Sequence, residues 1–391
     1  MIGRILIARA LRAFTDGFIA IVLPAYLLAL GLGQLEVGFI STATLLGSAL
    51  ATLAIGRWGH RFSLRRLLLA AALLMAATGF AFAGLSSLWP LLLVSFVGTL
   101  NPSSGDASIF MPLDHTMLAT SADRPGAFAR YSFLGSIFGA LGALAAGVPQ
   151  WLGSHVAMLD ALRGMFLLYA LIGLAVWGLY LGLPEPAAEE AKPMAPLGPS
   201  RGIVWRLAAL FSVDSFAGGL ILNSLLALWL FQRFGVSLAA AGAFFFWTGL
   251  LSAGSQLIAP LIARRIGLVN TMVFTHIPSS FCLIGAALAP GLPLALGFLL
   301  ARSLLSQMDV PARGAFVMSV VTPAERPAAA SFTSVPRSLA SALSPSLTGA
   351  LFAAGAMAAP LIACGVLKIA YDLALFAAFR RIELDAKYSP G

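Results

Sequence analysis

Charged residues are scarce in this sequence. Only 10% of its 391 residues are Asp, Glu, Lys or Arg, whereas 60% are hydrophobic and the mean hydropathy is +0.94. Soluble domains carry about 25% charged residues, and the deficit here extends over the whole length. The composition therefore excludes a soluble globular protein and predicts a membrane protein that crosses the bilayer many times.

Cysteine and the common catalytic motifs are also scarce. The two cysteines, Cys282 and Cys364, fall in separate apolar runs, which favours packing over a disulfide or a metal pair. The sequence contains no H-E-x-x-H, G-x-S-x-G or G-x-x-x-x-G-K-[ST] motif, so zinc hydrolases, α/β-hydrolases and P-loop enzymes are disfavoured. We expect no cofactor, no metal and no enzymatic activity.

Twelve apolar runs are long enough to cross a bilayer, since a spanning helix needs about 20 residues. These spans cover residues 5–30, 37–57, 66–86, 89–119, 126–150, 163–183, 203–231, 238–263, 269–289, 292–321, 327–353 and 357–379. Spans 4 and 10 are the longest and the most polar, so we expect each to extend beyond the bilayer or to break within it. The first run continues past Leu30, which indicates a retained span and not a cleaved signal.

The proline-rich segment 184–202 divides the twelve predicted spans into two groups of six. The predicted organisation is an all-α membrane protein with a six-helix bundle at 1–183, a cytoplasmic linker at 184–202, a second bundle at 203–380 and a tail at 381–391. Basic residues outnumber acidic ones by 24 to 15, and most lie in alternate short loops. Loops rich in basic residues remain in the cytoplasm, so the excess of basic residues indicates membrane topology and we expect no nucleic-acid partner. With an even number of spans, both termini are then placed on the cytoplasmic side of the inner cell membrane.

Short patterns recur in the same order in the two halves. Asp16-x-Phe18 is repeated as Asp214-x-Phe216, and the pattern at 122–125 is repeated with one conservative change at 324–327. Each half has six spans, so the predicted repeats are parallel and related by an axis along the membrane normal.

Two six-helix halves joined by a linker resemble the major facilitator superfamily over the whole chain. After its second span that family has G-x-x-x-D-R-x-G-R-R/K, and residues 56–65 here read G-R-W-G-H-R-F-S-L-R, with His60 in place of the acid. Residues 308–313 and the later Arg337 are similar to drug-exporter-like members. The resemblance implies cytoplasmic gating loops that contain Gly56, Arg61, Arg65, Arg264 and Arg265.

The resemblance also implies that spans 1, 4, 7 and 10 line a central cavity. Ionisable residues are costly in a bilayer and mark solute or ion pathways by default. Those in the four spans that we expect to bind substrate or protons are Asp16, Asp106, Asp214, Arg302, Asp309 and Arg313. The three in span 10 are spaced i, i+7 and i+11, which predicts one helical stripe. Further candidates are Arg12, Asn101 and Arg337.

Other ionisable residues in the spans are interpreted as structural. Asp114 and His115 lie toward the predicted cytoplasmic end of span 4, which indicates interfacial polar groups. His276 lies in span 9, which is peripheral in the resembled fold, and is interpreted as a packing residue. Lys368 and Asp372 are four residues apart and are interpreted as a structural pair within span 12.

These features predict a secondary active transporter. We expect a monomeric, proton-coupled efflux antiporter that moves a small organic or amphipathic solute across the lipid bilayer by alternating access. Antiport is indicated by Gly135 and Gly139, which match the first glycines of the family's G-x-x-x-G-P-x-x-G-G antiporter pattern. The alternatives are a proton symporter or uniporter for a small organic anion, indicated by Arg302 and Arg313, and a non-transporting sensor or scaffold of the same fold.

Overall fold

The computed structural model describes residues 1–103, 108–118, 123–153, 155–184, 198–322 and 325–388. Apart from a 3-10 turn at Gly59–Arg61, every regular element in these ranges is an α-helix. The sixteen helices are α1 (Ile2–Ala29), α2 (Gln34–Trp58), α3 (Leu64–Gly84), α4 (Leu88–Val97), α5 (Phe110–Leu118), α6 (Arg124–Ala145), α7 (Val148–Leu152), α8 (Met158–Leu181), α9 (Arg201–Gly219), α10 (Asn223–Phe234), α11 (Leu238–Ile266), α12 (Leu268–Leu288), α13 (Leu292–Leu305), α14 (Asp309–Ser319), α15 (Arg326–Ala353) and α16 (Ala359–Tyr388).

The sixteen helices fall into the twelve predicted spans, because spans 4, 5, 7 and 10 each contain two helices. In span 10, α13 ends at Leu305 and α14 begins at Asp309, with Pro311 in its first turn. Proline is tolerated there because the first N–H groups of a helix have no partner within it. Eight helical stretches of the described chain are long and apolar enough to cross a membrane. The all-α membrane fold is confirmed.

Close approach of α1 and α6 depends on glycine. A Cβ on Gly142 would overlap the carbonyl oxygen of Phe14, and one on Gly17 would overlap that of Gly139. Small residues allow two membrane helices to approach until their backbones touch. This contact fixes the face of α1 that carries Arg12 and Asp16.

The described chain forms two compact units. Unit 1 comprises Met1–Ala191, Leu222–Trp247 and Pro345–Gly355, and unit 2 comprises Lys192–Ile221, Thr248–Ser344 and Ala356–Gly391. These units differ from the two predicted bundles, since two segments of the second half pack with the first. The predicted boundaries at 183 and 203 stay a prediction.

The core of unit 2 positions a group of polar side chains. Buried apolar residues from α9, α12, α14 and α16 pack together, among them Phe211, Met272, Phe316 and Phe379. Helices α12 and α16 pack along one another, and α9 packs on α16. Polar residues one turn away from these apolar positions therefore face one another inside this core.

Candidate functional site

Six ionisable side chains from four helices of unit 2 form one buried network. They are Asp214 of α9, His276 of α12, Asp309 and Arg313 of α14, and Lys368 and Asp372 of α16. Their side chains are between 0% and 12% exposed. Buried charges persist only when they are paired and hydrogen-bonded, and every member of this network has such a partner.

Asp214 lies at the centre of the network. Arg313 Nη2 donates to its Oδ2 over 2.8 Å, and Lys368 Nζ donates to its Oδ1 over 2.6 Å. The same Arg313 nitrogen also pairs with Asp309, one turn earlier on α14. Each oxygen of Asp214 therefore binds a different cation, from α14 and from α16.

His276 connects the centre of the network to Asp372. Its Nδ1 lies 3.0 and 3.1 Å from the two Asp372 oxygens, and its Nε2 lies 3.3 Å from Lys368 Nζ. An ammonium group has only donors, so Nε2 accepts from Lys368. The ring proton is therefore assigned to Nδ1, which donates to Asp372. This makes His276 a neutral imidazole between two charged partners.

The predicted pairing of Lys368 with Asp372 is wrong. Although they are one turn apart on α16, Lys368 binds Asp214 and Asp372 binds His276. The sequence set these residues aside because span 9 is peripheral in the resembled fold and because Lys368 and Asp372 are four residues apart in span 12. The sequence did contain a signal for them. An acid, a base and an imidazole inside apolar runs are energetically costly in a membrane, so each needs a buried partner.

A cavity of about 210 Å³ opens beside the network in unit 2. Arg313 and Arg337 both line it, and their guanidinium carbons lie 5.2 and 5.9 Å from the centre of the Phe211 ring. Arg337 Nε also donates to Ser215 Oγ over 3.2 Å, and Thr333 adds a hydroxyl to the lining. Two guanidinium groups with an aromatic wall suit an anion that carries an apolar body.

Arg302 lies apart from the other two residues of the predicted stripe. Its electrostatic neighbours are Cys282 and Cys364, and its side chain forms no hydrogen bond or ion pair with any residue that the structure describes. The stripe is interrupted because α13 ends at Leu305, so regular helical spacing does not continue to Asp309. The structure thus brings Asp309 and Arg313 together and leaves Arg302 separate.

In unit 1, Asp16 of α1 is half-buried beside the start of the span 4 break. Asn101 Nδ2 donates to Asp16 Oδ2 over 3.4 Å, and Asn101 itself is 1% exposed. The Asn101 side-chain oxygen accepts from Ser103 Oγ over 2.7 Å, which orients the amide. Asp106, the candidate in span 4, lies outside the described residues.

Asp114 is not the interfacial group that the sequence indicated. It is 0% exposed and pairs with Arg12, which is 4% exposed. Tyr131 donates to Asp114 Oδ2 over 2.9 Å, and Tyr180 donates to Oδ1 over 3.5 Å. Together these donors compensate the buried carboxylate, so it lies inside unit 1. The two tyrosines, one in each of spans 5 and 6, were the missed signal.

The predicted gating residues lie at helix ends. Gly56 and Arg61 are exposed at the end of α2 and in the turn that follows it, and Arg264 and Arg265 are exposed in the last turn of α11. Arg65 at the start of α3 differs, since its Nη2 donates to the Leu181 carbonyl oxygen over 2.5 Å. This bond satisfies a terminal carbonyl of α8. The gating role of all five stays a prediction.

Comparison with known proteins gives one family match and one curated relative. The family model described as Major Facilitator Superfamily matches residues 5–306, well over half of the chain. An uncharacterized membrane protein of Saccharomyces cerevisiae is 25% identical over 418 residues, covering 96% of this chain and 93% of that protein.

Solved structures with the same fold include three transporters. A bacterial homologue of the human lysosomal transporter Spinster, inward-facing and occupied, has a TM-score of 0.76 at 16% identity and covers 100% of this chain and 98% of that chain. The nucleoside transporter NupG has a TM-score of 0.74 at 15% identity, and the match covers 97% of this chain and 99% of that chain. The xylose transporter XylE of E. coli, in an inward-open conformation, has a TM-score of 0.73 at 16% sequence identity, and the match covers 100% of both chains. At these identities the likeness shows the fold.

Proposed function

This chain belongs to the major facilitator superfamily, and we propose that it is a proton-coupled efflux antiporter for a small organic or amphipathic solute. Family and fold make it a secondary transporter in a membrane and not an enzyme. The proposal adds protons as the coupling ion and export as the direction. It also takes the working protein as a monomer in the inner cell membrane with both termini in the cytoplasm, on the distribution of basic loops.

The observation that carries the proposal is the position of Asp214. This carboxylate is 5% exposed and shared by Arg313 and Lys368. A buried ion pair contributes little net stability compared with apolar packing. Ionisable residues inside a membrane are therefore explained better by a solute or ion pathway than by folding.

The network supplies the chemistry of coupling. A proton that binds among these groups changes the charge available to Arg313, which also lines the neighbouring cavity. The added positive charge disfavours a cationic solute in that cavity, so such a solute and the proton compete. Competition of this kind exchanges solute for protons when the two halves expose the site alternately.

Binding in the first half is assigned to Asp16, Asp106 and Asn101, on the repeat that relates Asp16 to Asp214. Support for antiport comes from the Gly135 and Gly139 pattern, and no contact in the described structure reports a direction. Direction is therefore part of the experiment.

The experiment uses the full chain in proteoliposomes with an imposed pH gradient. Ethidium and benzoate serve as the amphipathic cation and the organic anion. We expect an outward-directed exchange with ethidium that disappears in Asp214→Asn. Asp160→Asn is the matched control, because Asp160 is 60% exposed and pairs with the neighbouring Arg163 across 3.5 Å. Flux in Asp214→Asn equal to the parent contradicts the proposal, and no flux of either probe favours the scaffold alternative.

A second function, symport or uniport of a small organic anion, is favoured by the cavity that Arg313 and Arg337 share. Charge-assisted hydrogen bonds contribute about 1.5–3 kcal/mol, so Arg337→Gln should weaken benzoate binding about tenfold or more. Arg130→Gln is the matched control, since Arg130 is 68% exposed and paired with Asp123. Benzoate affinity that is equal in both variants rejects the anion function at this cavity. The benzoate affinity of Arg302→Ala tests in the same way whether Arg302, which lies apart from this cavity, binds the anion.

A further inference from the structure

We propose that His276 is the proton-binding site of the network, and that a proton on its Nε2 displaces Lys368 from Asp214. This inference rests on the proposed proton coupling and names the group that takes the proton.

The unprotonated state is defined by the two sides of the ring. Nδ1 faces Asp372 at 3.0 Å and donates to it, whereas Nε2 faces Lys368 Nζ at 3.3 Å and accepts from it. Asp214 Oδ1 lies 3.9 Å from the same Nε2. Lys368 and Asp214 Oδ1 are therefore both next to the nitrogen that is open to a proton.

Protonation reverses the role of Nε2. Hydronium gives its proton to Nε2 and becomes water, Nε2 becomes a donor, and a second positive charge lies beside the Lys368 ammonium. Repulsion then breaks the bond between Lys368 and Asp214, and Nε2–H takes Asp214 Oδ1 as its acceptor. Nδ1 continues to donate to Asp372, so the imidazolium has a carboxylate on each side.

The surrounding charges favour His276 as the group that changes. The neighbouring groups are balanced: Asp214, Asp309 and Asp372 are acids, and Arg313, Arg337 and Lys368 are bases. Imidazole is the side chain whose ordinary titration falls between pH 5 and 8. One added proton therefore gives the balanced network a net charge.

Helices α13, α14 and α16 pack on α12, and α9 packs on α16. The groups that these four helices contribute are Asp372, Lys368 and Tyr371 from α16, Asp214 from α9, Asp309 and Arg313 from α14, and Arg302 from α13. Arg313 binds the far oxygen of Asp214 and also pairs with Asp309, and the electrostatic neighbours of Arg302 are Cys282 and Cys364. Lys368 is thus the cation that a proton on His276 meets first.

The consequence is a network with two arrangements. In one, α16 holds α9 through Lys368 and Asp214. In the other, α12 holds α9 through His276, and Lys368 is released. A bistable contact whose balance depends on one proton can couple that proton to a rearrangement of the helices.

The test is 13C NMR of histidine-labelled full-length protein in lipid nanodiscs, without any solute. The chain has four histidines, and His276→Gln identifies the resonance by its loss. We expect the His276 resonance to change with pH. In Lys368→Met the shift should occur at higher pH, and in Asp372→Asn at lower pH, by about 1–3 pH units each. Lys387→Met, outside the spans, is the matched control.

Opposite displacements in the two variants separate a specific effect from damaged packing, which would affect both alike. A His276 resonance that does not change with pH overturns the proposal, and so does a Lys368→Met profile identical to the parent's. A transport assay in proteoliposomes distinguishes failure of the proposed proton site from failure of the proposed antiport. If His276→Gln retains pH-driven ethidium exchange, the inference fails and the antiport stands; if the NMR shifts occur but the parent shows no pH-driven exchange, the antiport fails and the proton site stands.

Discussion

The buried pair of Arg12 and Asp114 gives a quantitative prediction about unit 1. Asp114→Asn leaves Arg12, at 4% exposure, without its counter-ion. Breaking a buried pair by neutralising one partner costs about 3–5 kcal/mol. Tyr131 loses a charged acceptor at 2.9 Å, although the Asn oxygen still accepts, so we place the expected loss near about 4 kcal/mol in the free energy of unfolding.

The control for this prediction is the same substitution at an exposed pair. Asp123 is 63% exposed, lies 3.6 Å from Arg130, and caps α6 by accepting from Gly126 N. Exposed pairs contribute about 0–1 kcal/mol, and Asn caps a helix about as well as Asp. Asp123→Asn should therefore change stability by less than about 1 kcal/mol.

The assay is unfolding by SDS in mixed micelles, followed by tryptophan fluorescence. A double variant, Arg12→Met with Asp114→Leu, should be more stable than Asp114→Asn alone, because an apolar pair replaces the ion pair without leaving a lone charge. If Asp114→Asn and Asp123→Asn destabilise equally, the reasoning about burial is refuted.

Two further predictions concern the loop before α15 and the contact between α1 and α6. Hydrogen bonds, led by the one from Ser200, lower the pKa of Glu325 to about 2, against about 4.3 for a free glutamate. The stabilisation is therefore complete above about pH 4.3 and lost as the pH falls through 2, so Glu325→Gln should flatten melting temperature against pH in this window; a parallel profile contradicts it. Gly142→Ala should destabilise by about 1–3 kcal/mol, because its Cβ meets the Phe14 carbonyl oxygen, whereas Gly164→Ala meets nothing within 4 Å; equal melting temperatures reject the contact.

Local patterns predicted the fold well. Apolar runs of about 20 residues located the spans, and unusual length and polarity marked spans 4 and 10, each of which the structure divides into two helices. Both features can be seen in a single stretch of sequence. Composition is therefore sufficient to find them.

Partner choice inside the site could be predicted only in part. The Asp309–Arg313 pair follows from spacing on one helix. Asp372 bonds to a residue 96 positions away, and no spacing rule indicates that pair. Asp372 meets His276 because of the way in which α12 and α16 cross. That crossing is set by the packing of the whole helices, so the local sequence does not predict it.

The central claim is that solute and protons exchange through the network around Asp214. The most direct measurement follows the internal pH of proteoliposomes loaded with a pH-sensitive dye, after an inward ethidium gradient is imposed without a pH gradient. We predict that ethidium entry makes the lumen alkaline in the parent, as protons leave, and that Asp214→Asn loses this response while Asp160→Asn keeps it. Ethidium entry without a change of internal pH would contradict the account.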